Sequence, residues 1–408
     1  MKTKSTNRFN KEALLLSLVA TSGACGFISP PQIIYYGVVI ILSLLFILRG
    51  KIKRVNISLL CLLFFAFCSV AINNPPALFQ SWERLIIFTV LLLLVSPLIE
   101  SEALLEFRHK AFKYTLSILT TLSVLSFPCF YLGINFMVLD NSDYLTGVGS
   151  FGGLYKHSMV LGPTSAISSI FLFSKCLKLS KNDTLKRKLL LVTLLLCTIG
   201  STLLAASRTA VLGLFIVMGV LYIRTYAVNV MKFIKYTLLA SVLILTTVPL
   251  WVGMFDRVMI KQEQNISTGE GAFASRGLKW GARLYEIEKS PIIGVGFGSI
   301  DLNSGDVYNA ENGVIEPGSS WLFVLSSIGL LGFSAFFTFA TKRYYMLLRV
   351  LNKSVYCATS AGVAFFYALH MVTEGYIFSA GSFSCIIVWL TFGNSTIAID
   401  QSKNKEYK

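Results

Sequence analysis

The run LLLVTLLLCTIGSTLLAASRTAVLGLFIVMGVLYI fills residues 189–223, and Arg208 is its single charged residue. A helix rises ~1.5 Å per residue, so roughly 20 apolar residues cross a ~30 Å hydrocarbon core. The run therefore predicts two membrane-crossing helices that turn tightly at Ser207-Arg208-Thr209. A guanidinium at such a turn either snorkels to the interface or faces an anionic ligand.

The same pattern extends along the whole chain. Stretches without charge also occupy 13–48, 55–82, 85–99, 114–139, 157–174, 236–255, 317–341, 354–373 and 375–399. Ser29-Pro30-Pro31 splits the first into two spans, which predicts about twelve transmembrane helices. Charged residues make up 14% of the chain and mean hydropathy is +0.68, where a soluble protein holds about a quarter charged. The fold class expected is an all-α polytopic helical bundle, a single membrane domain over 1–408. The ten-residue alternation of an outer-membrane barrel is absent. So is an internal repeat, which argues against a transporter built from two related halves.

Charge placement orients the bundle. All but nine of the 36 Lys and Arg residues fall at the termini or in alternate connections. Cations stay on the cytoplasmic side, so both termini are expected there. The nine on the far side are Arg84, Lys156, Arg208, Arg257, Lys261, Arg276, Lys279, Arg283 and Lys289. Placed against the topological preference, they are candidates for chemistry. The net charge of +16 reads as this topology signal together with contact to anionic membrane lipids, with no nucleic acid partner. Eight scattered cysteines without a CxxC pair, and only three histidines, give no zinc-type spacing. No metal or cofactor is expected. Ser22-Gly23-Ala24-Cys25 lacks the Leu usual at a lipoprotein cleavage site, so the first segment reads as an uncleaved span.

One far-side connection is long, about 254–319, and loops of that length are usually functional or disordered. Within it 274–289 reads as a helix stopped by Pro291. At 100° per residue, Arg276, Lys279 and Arg283 lie within about 60° of one another, beside an apolar strip of Trp280, Leu284 and Ile287. Such a helix is expected at the membrane surface, aromatic edge in the headgroups, cations towards an anion. The plainer alternative pairs Arg283 with Glu286 at i,i+3. The glycines at 294, 296 and 298 lack the strand and helix of a nucleotide-binding fingerprint and read as a tight turn.

Several elements together resemble a known family. Ala206-Ser207-Arg208-Thr209-Ala210 looks like its Ser-Arg element. Arg276-x-x-x-Trp280 followed by Ser290-Pro291-Ile292-Ile293-Gly294-Val295-Gly296-Phe297-Gly298 looks like its Arg…Trp…Pro-Leu-x-Gly-x-Gly signature. Gly152-Gly153-Leu154-Tyr155-Lys156-His157-Ser158 resembles its Gly…His element, and Ser320-Trp321-Leu322 through Gly329-Leu330-Leu331-Gly332 the start of the following span. The family is the O-antigen ligase and O-antigen polymerase superfamily of lipopolysaccharide assembly, and the resemblance covers about residues 145–395. It implies a glycosyltransferase-C-like bundle in the bacterial inner membrane. Its active face would be periplasmic, its donor an undecaprenyl-diphosphate-linked oligosaccharide, and its metal requirement nil. A chain-length regulator and a repeat-unit flippase are implied partners.

Arg208 and Arg276 match the family's arginines and are expected to hold the diphosphate leaving group, whose developing charge needs fixed cations. Position alone adds Arg84 and Arg283. Lys156, Lys279 and Trp280 join them as substrate contacts. Ligases of the family resemble one another in a His-Asn pair just before the span that starts here at Ser320. This chain has Glu316-Pro317-Gly318-Ser319-Ser320 instead, which favours the polymerase branch. Candidates to orient or deprotonate the acceptor hydroxyl are Glu311, Glu316, His157 and the i,i+4 pair His370/Glu374, with Glu374 first because a carboxylate at a span end calls for a partner. The reading is a surface-polysaccharide polymerase. The alternatives are the ligase to lipid A-core, a transporter of lipid-linked sugars, which the nearly charge-free spans disfavour, and a membrane scaffold.

Overall fold

The structure is a computed structural model that describes residues 9–28, 30–49, 51–137, 151–180, 182–227, 231, 233–235, 237–238, 242, 274–306, 308–311 and 313–406. Among these the chain forms α1 (Asn10–Ser22), α2 (Gln32–Arg49), α3 (Ile57–Asn73), α4 (Ser81–Val95), α5 (Glu102–Tyr131) and α6 (Ser158–Leu177). There follow α7 (Leu185–Leu204), α8 (Arg208–Tyr226), α9 (Ala274–Lys289), α10 (Ser320–Val350), α11 (Val355–His370) and α12 (Phe383–Glu406). Eight of the described helices are long and apolar enough to cross a membrane, and the shorter α3 and α11 are apolar too. With α1, every other charge-free stretch holds a helix; 236–255, the ninth expected span, lies almost wholly outside the described residues. Arg257 and Lys261 lie outside them as well.

Local chemistry sets the boundaries. Asn56, Ser101, Thr184, Ser319 and Ser354 each accept a hydrogen bond from the backbone N–H three residues on, capping α3, α5, α7, α10 and α11. The stretch 55–82 is not one helix. Asn74 takes a left-handed conformation (φ 43°) that closes α3 before Pro75-Pro76, and a 3₁₀ turn at Ala77–Phe79 leads into α4. At one end of the bundle β1 (Arg54–Val55) pairs antiparallel with β2 (Ile99–Glu100). There the buried Arg108 donates to the carbonyls of Leu93, Leu94 and Ile99 at 2.8–3.0 Å, closing the carboxyl end of α4.

Two helices are central. α12 packs on α4, α5, α10 and α11, while α6 packs on α5, α7, α8 and α11. α7 and α8 are sequence neighbours across a tight turn, yet both lie chiefly on α6. The cause is the small-residue composition of α6, where Gly162, Ser165, Ala166, Ser168 and Ser169 are all buried. In lipid the hydrophobic effect does not drive helices together, so close backbone approach and interhelical hydrogen bonds do. Ser169 donates to Thr198 at 2.9 Å, binding α6 to α7. A Cβ on Gly162 would stand 2.8 Å from Ser207, so only glycine lets the α7–α8 turn reach α6.

α10 is broken. Gly329 adopts φ 64° and ψ −172° inside it. The segment after α9 docks into the break by backbone bonds: Val295 N–H to Ser326 O (2.9 Å), Gly296 N–H to Ser327 O (3.1 Å) and Leu330 N–H to Pro291 O (2.8 Å). The freed backbone groups of the break thus find partners in another segment, as a broken membrane helix requires.

Candidate functional site

Arg208 is the first residue of α8, half-buried. The residue two before it, Ala206, has φ +52°, a conformation that costs an L-residue about 1–2 kcal/mol. That turn places a guanidinium at a helix N-terminus, where the aligned peptide dipoles are already positive. Arg276 stands close enough for the two charges to repel. Two separated segments, the α7–α8 turn and the start of α9, therefore concentrate positive potential at one place.

The amino half of α9 carries that potential on exchangeable partners. Arg276 Nη1 donates to Glu316 Oε1 at 3.2 Å, and its Nη2 is bonded to Glu374. Lys279 is ion-paired with the other oxygen of Glu316. Partial burial raises the Glu316 carboxyl, but Lys279 and Arg276 outweigh it and hold the group below the usual carboxylate range. Trp280 Nε1–H donates to Gly318 O at 3.2 Å, so its indole faces the loop. The exposed apolar residues of this helix are Leu278, Leu284 and Tyr285, so of the expected strip of Trp280, Leu284 and Ile287 only Leu284 is exposed.

The carboxyl half of α9 is different. Arg283 has no solvent exposure; it faces Glu286 at 3.0 Å, is bonded to Asp306, and lies 5.6 Å from the Phe323 ring. Glu286 and Asp306 are buried with it, and Glu286 also accepts the Asp301 backbone N–H at 2.9 Å. The plain i,i+3 alternative is the observed one. Arg283 is not presented to a ligand, because one cation between two buried carboxylates is already engaged.

Arg84, proposed from position, is likewise engaged: Nη1 donates to Gly298 O (2.9 Å) and Nη2 to Gly313 O (2.8 Å). It ties α4 to two turns of the long loop. The glycine run is a tight turn as read, with positive φ at Gly294, Gly296 and Gly298. A Cβ on Gly294 would meet the Ser327 backbone at 2.4 Å, so the run serves docking into the α10 break.

Of the acceptor candidates, Glu316 and Glu374 both reach the cluster. α11 ends at His370, so His370 and Glu374 are not on one helix as expected. Glu374 N–H still bonds to His370 O at 3.1 Å. His370 is buried between Phe366 and Tyr376, with the Tyr376 hydroxyl 3.0 Å from Nδ1. Ser320 Oγ donates to Glu374 O (2.7 Å) and accepts from Tyr376 N–H (3.1 Å), which fixes the 374–376 backbone. Glu311 is an exposed loop residue whose backbone N–H donates to Asn309 at 2.8 Å. His157 begins α6 through its carbonyl, and Lys156 N–H donates to Ala24 O at 3.1 Å. Gly162 lies against Ser207, so both stand roughly one and a half helical turns before the point where α6 meets the α7–α8 turn.

Sequence reasoning missed Asp306, Ser320 and Tyr376. Each acts on a partner remote in sequence or hidden by burial, and none breaks a hydrophobic or charge pattern. Among the described residues no group of three or more His, Cys, Asp or Glu is arranged to hold a metal ion.

Residues 193–337 match the family model described as O-antigen ligase. The matched segment runs from α7 through the α7–α8 turn, α9 and the glycine run into the broken α10. This bears out the resemblance to the O-antigen polymerase and ligase superfamily, on an observed bundle of apolar helices. Among curated proteins none matches the chain.

Proposed function

We propose that the protein is an O-antigen polymerase, transferring a glycan from undecaprenyl diphosphate to a lipid-linked repeat unit on the periplasmic face of the inner membrane. The observation that carries this reading is the convergence of Arg208, at the positive end of α8, with Arg276. Arg276 is already bonded to Glu316 and Glu374, and an anion carrying more charge than one carboxylate competes for it beside Arg208 at a helix N-terminus. A lipid diphosphate leaving group is such an anion.

The step balances as a displacement. A hydroxyl oxygen of the acceptor repeat forms the new bond to the anomeric carbon of the donor as that carbon's bond to diphosphate oxygen breaks. The departing electron pair and charge fall between Arg208 and Arg276. In the structure Arg276 is held by Glu316 and Glu374. When the diphosphate takes the guanidinium, the Glu374 carboxylate is released to receive the hydroxyl proton. Glu316, kept ionised by Lys279, retains the α9 amino half in place. His370 and Ser320 position Glu374 through its backbone. Displacement in one step inverts the anomeric carbon. No residue in this scheme calls on a metal.

The segment 316–320 carries no histidine, which favours polymerase over ligase. The test is a deletion strain complemented with variants. Loss of a polymerase leaves one repeat unit on the lipid core, whereas loss of a ligase leaves none. Arg208→Ala and Arg276→Ala should each abolish long chains, a drop of at least ~100-fold, with the protein still at normal level in the membrane. Full-length chains in both variants would remove these residues from the site.

A further inference from the structure

A cavity of about 470 Å³ opens between the α3–α4 connection and the segment after α9. That volume lies within the ~300–1,000 Å³ common for small-molecule sites. Asn73 and Pro75 form one wall, and Lys289, Asp301, Leu302 and Asn303 the other. From Arg276 to Lys289 α9 rises roughly 20 Å, so this cavity and the arginine cluster flank opposite ends of one rigid helix. They are several sugar residues apart.

The walls are built. A Cβ on Gly296, which has φ +119°, would meet Pro75 at 2.4 Å, so the glycine is what seats the proline ring. Asn73 donates to Ser69 O at 2.7 Å, which orients its amide. Asp301 accepts from Asn303 N–H at 2.9 Å and donates its own N–H to the buried Glu286 at 2.9 Å. Asp301 and Lys289 are paired with each other; burial raises the Asp301 carboxyl, but Lys289 and Asn303 outweigh it and hold it below its ordinary range, while the bond to Asp301 raises Lys289. Both are therefore charged and cancel. The cavity offers amides, a carboxylate and an ammonium for hydroxyl groups. It also offers a proline ring and the half-exposed Leu302 for C–H faces. It offers no net positive charge for a phosphate.

We infer that this cavity is a binding subsite for an uncharged, hydroxyl-rich stretch of carbohydrate remote from the diphosphate, the far part of the glycan whose reacting end lies at Arg208 and Arg276. The inference rests on the function proposed above for its choice of ligand. Holding the glycan at two points along α9 favours substrates long enough to reach both. A chain of several repeats then gains affinity that a single repeat lacks.

The experiment separates this subsite from the arginine site. The full-length protein in lipid nanodiscs is titrated calorimetrically with a diphosphate-free oligosaccharide of several repeats, released by mild acid from the host's own surface polysaccharide. Asn303→Trp and Leu302→Trp fill the cavity at exposed positions and are checked for unchanged thermal unfolding. The expected result is saturable binding by the wild type and by Arg276→Ala alike, weakened at least about tenfold in the two tryptophan variants. Absence of binding by the wild type would overturn the subsite. So would equal binding in the filled variants, or loss confined to Arg276→Ala, which would put the sugar at the arginine cluster. Because the probe carries no diphosphate, failure here leaves the proposed function to be decided separately, by the polysaccharide phenotype of Arg208→Ala and Arg276→Ala.

Discussion

Arg276 and Arg283 sit about two turns apart on α9, nearly on one face, and live in opposite environments. Arg283 has no exposure and is shared by two carboxylates that are as buried as itself. Arg276 is 16% exposed and is held by Glu374, 18% exposed, and by a Glu316 side chain that is 56% exposed, so it opens to solvent on the Glu316 side. A buried ion pair is broken only at high cost, whereas a pair that opens to solvent exchanges its anion readily. The difference teaches that a cation's role here follows from whether its partner can be replaced, and neither residue type nor helical face decides that. One end of α9 is an anchor and the other is a working end.

The anchor is hit hardest at its base. Gly329 has φ +64°, and a Cβ there would lie 2.2 Å from Ile292 O. Both strain and clash oppose any side chain, and the opposing atoms are backbone that cannot rotate away. Gly329→Ala should remove the protein from the membrane fraction, read by immunoblot. Gly281 on α9 has nothing within 4 Å of its Cβ position. Gly281→Ala should accumulate normally and unfold at the same or higher temperature, by up to ~1 kcal/mol of helix propensity. Normal accumulation of Gly329→Ala would mean that docking into the α10 break does not hold the anchor.

The two arginines give a crossed pattern. Arg283→Ala leaves Glu286 and Asp306 buried without their cation, at a cost of about 3–5 kcal/mol, seen as a fall in thermal unfolding temperature and in abundance. Arg276 has one partner, Glu316, already in solvent, so Arg276→Ala should cost less stability than Arg283→Ala while long-chain polysaccharide is lost. If both variants lost stability equally, the distinction between the ends of α9 would collapse.

Much of this was legible in the sequence. Lipid imposes length and apolarity on every span, so charge-free stretches locate helices directly, and the lone charge at 208 located the α7–α8 turn. α9 was legible from Ala274 to Pro291 for a different reason: a stop signal and a 3.6-residue period. The pairing of Arg283 with Glu286 was visible as a spacing, but its burial depended on Asp306 and Phe323, which come from other segments. Arg84 gave no local sign of its bonds to Gly298 and Gly313. The glycine run announced a turn, yet its purpose lay in a break more than thirty residues onward. His370 and Glu374 read as one helical face because nothing between them breaks a helix; the Ser320 bonds that end it are tertiary.

The smallest expected effect concerns pH at the anchor. Burial pushes the Glu286 carboxyl up to about 7, against the attraction of Arg283, a cation that it shares with Asp306. In the unfolded chain a glutamate ionises near ~4.3. Between those values the folded protein holds more protons on this residue than the unfolded one. Its stabilising effect is therefore complete below ~4.3, declines as pH rises through the window, and is gone above about 7. Glu286→Gln keeps the neutral shape and removes the titration. The wild-type unfolding temperature should fall by a few degrees between pH 5.5 and 8, on the order of what 1 kcal/mol does in a large domain. The Gln variant should lack that component of the slope. Parallel curves for the two proteins would show that Glu286 is ionised throughout the range, and the anchor would then be a permanent ion triad rather than one that loosens towards alkaline pH.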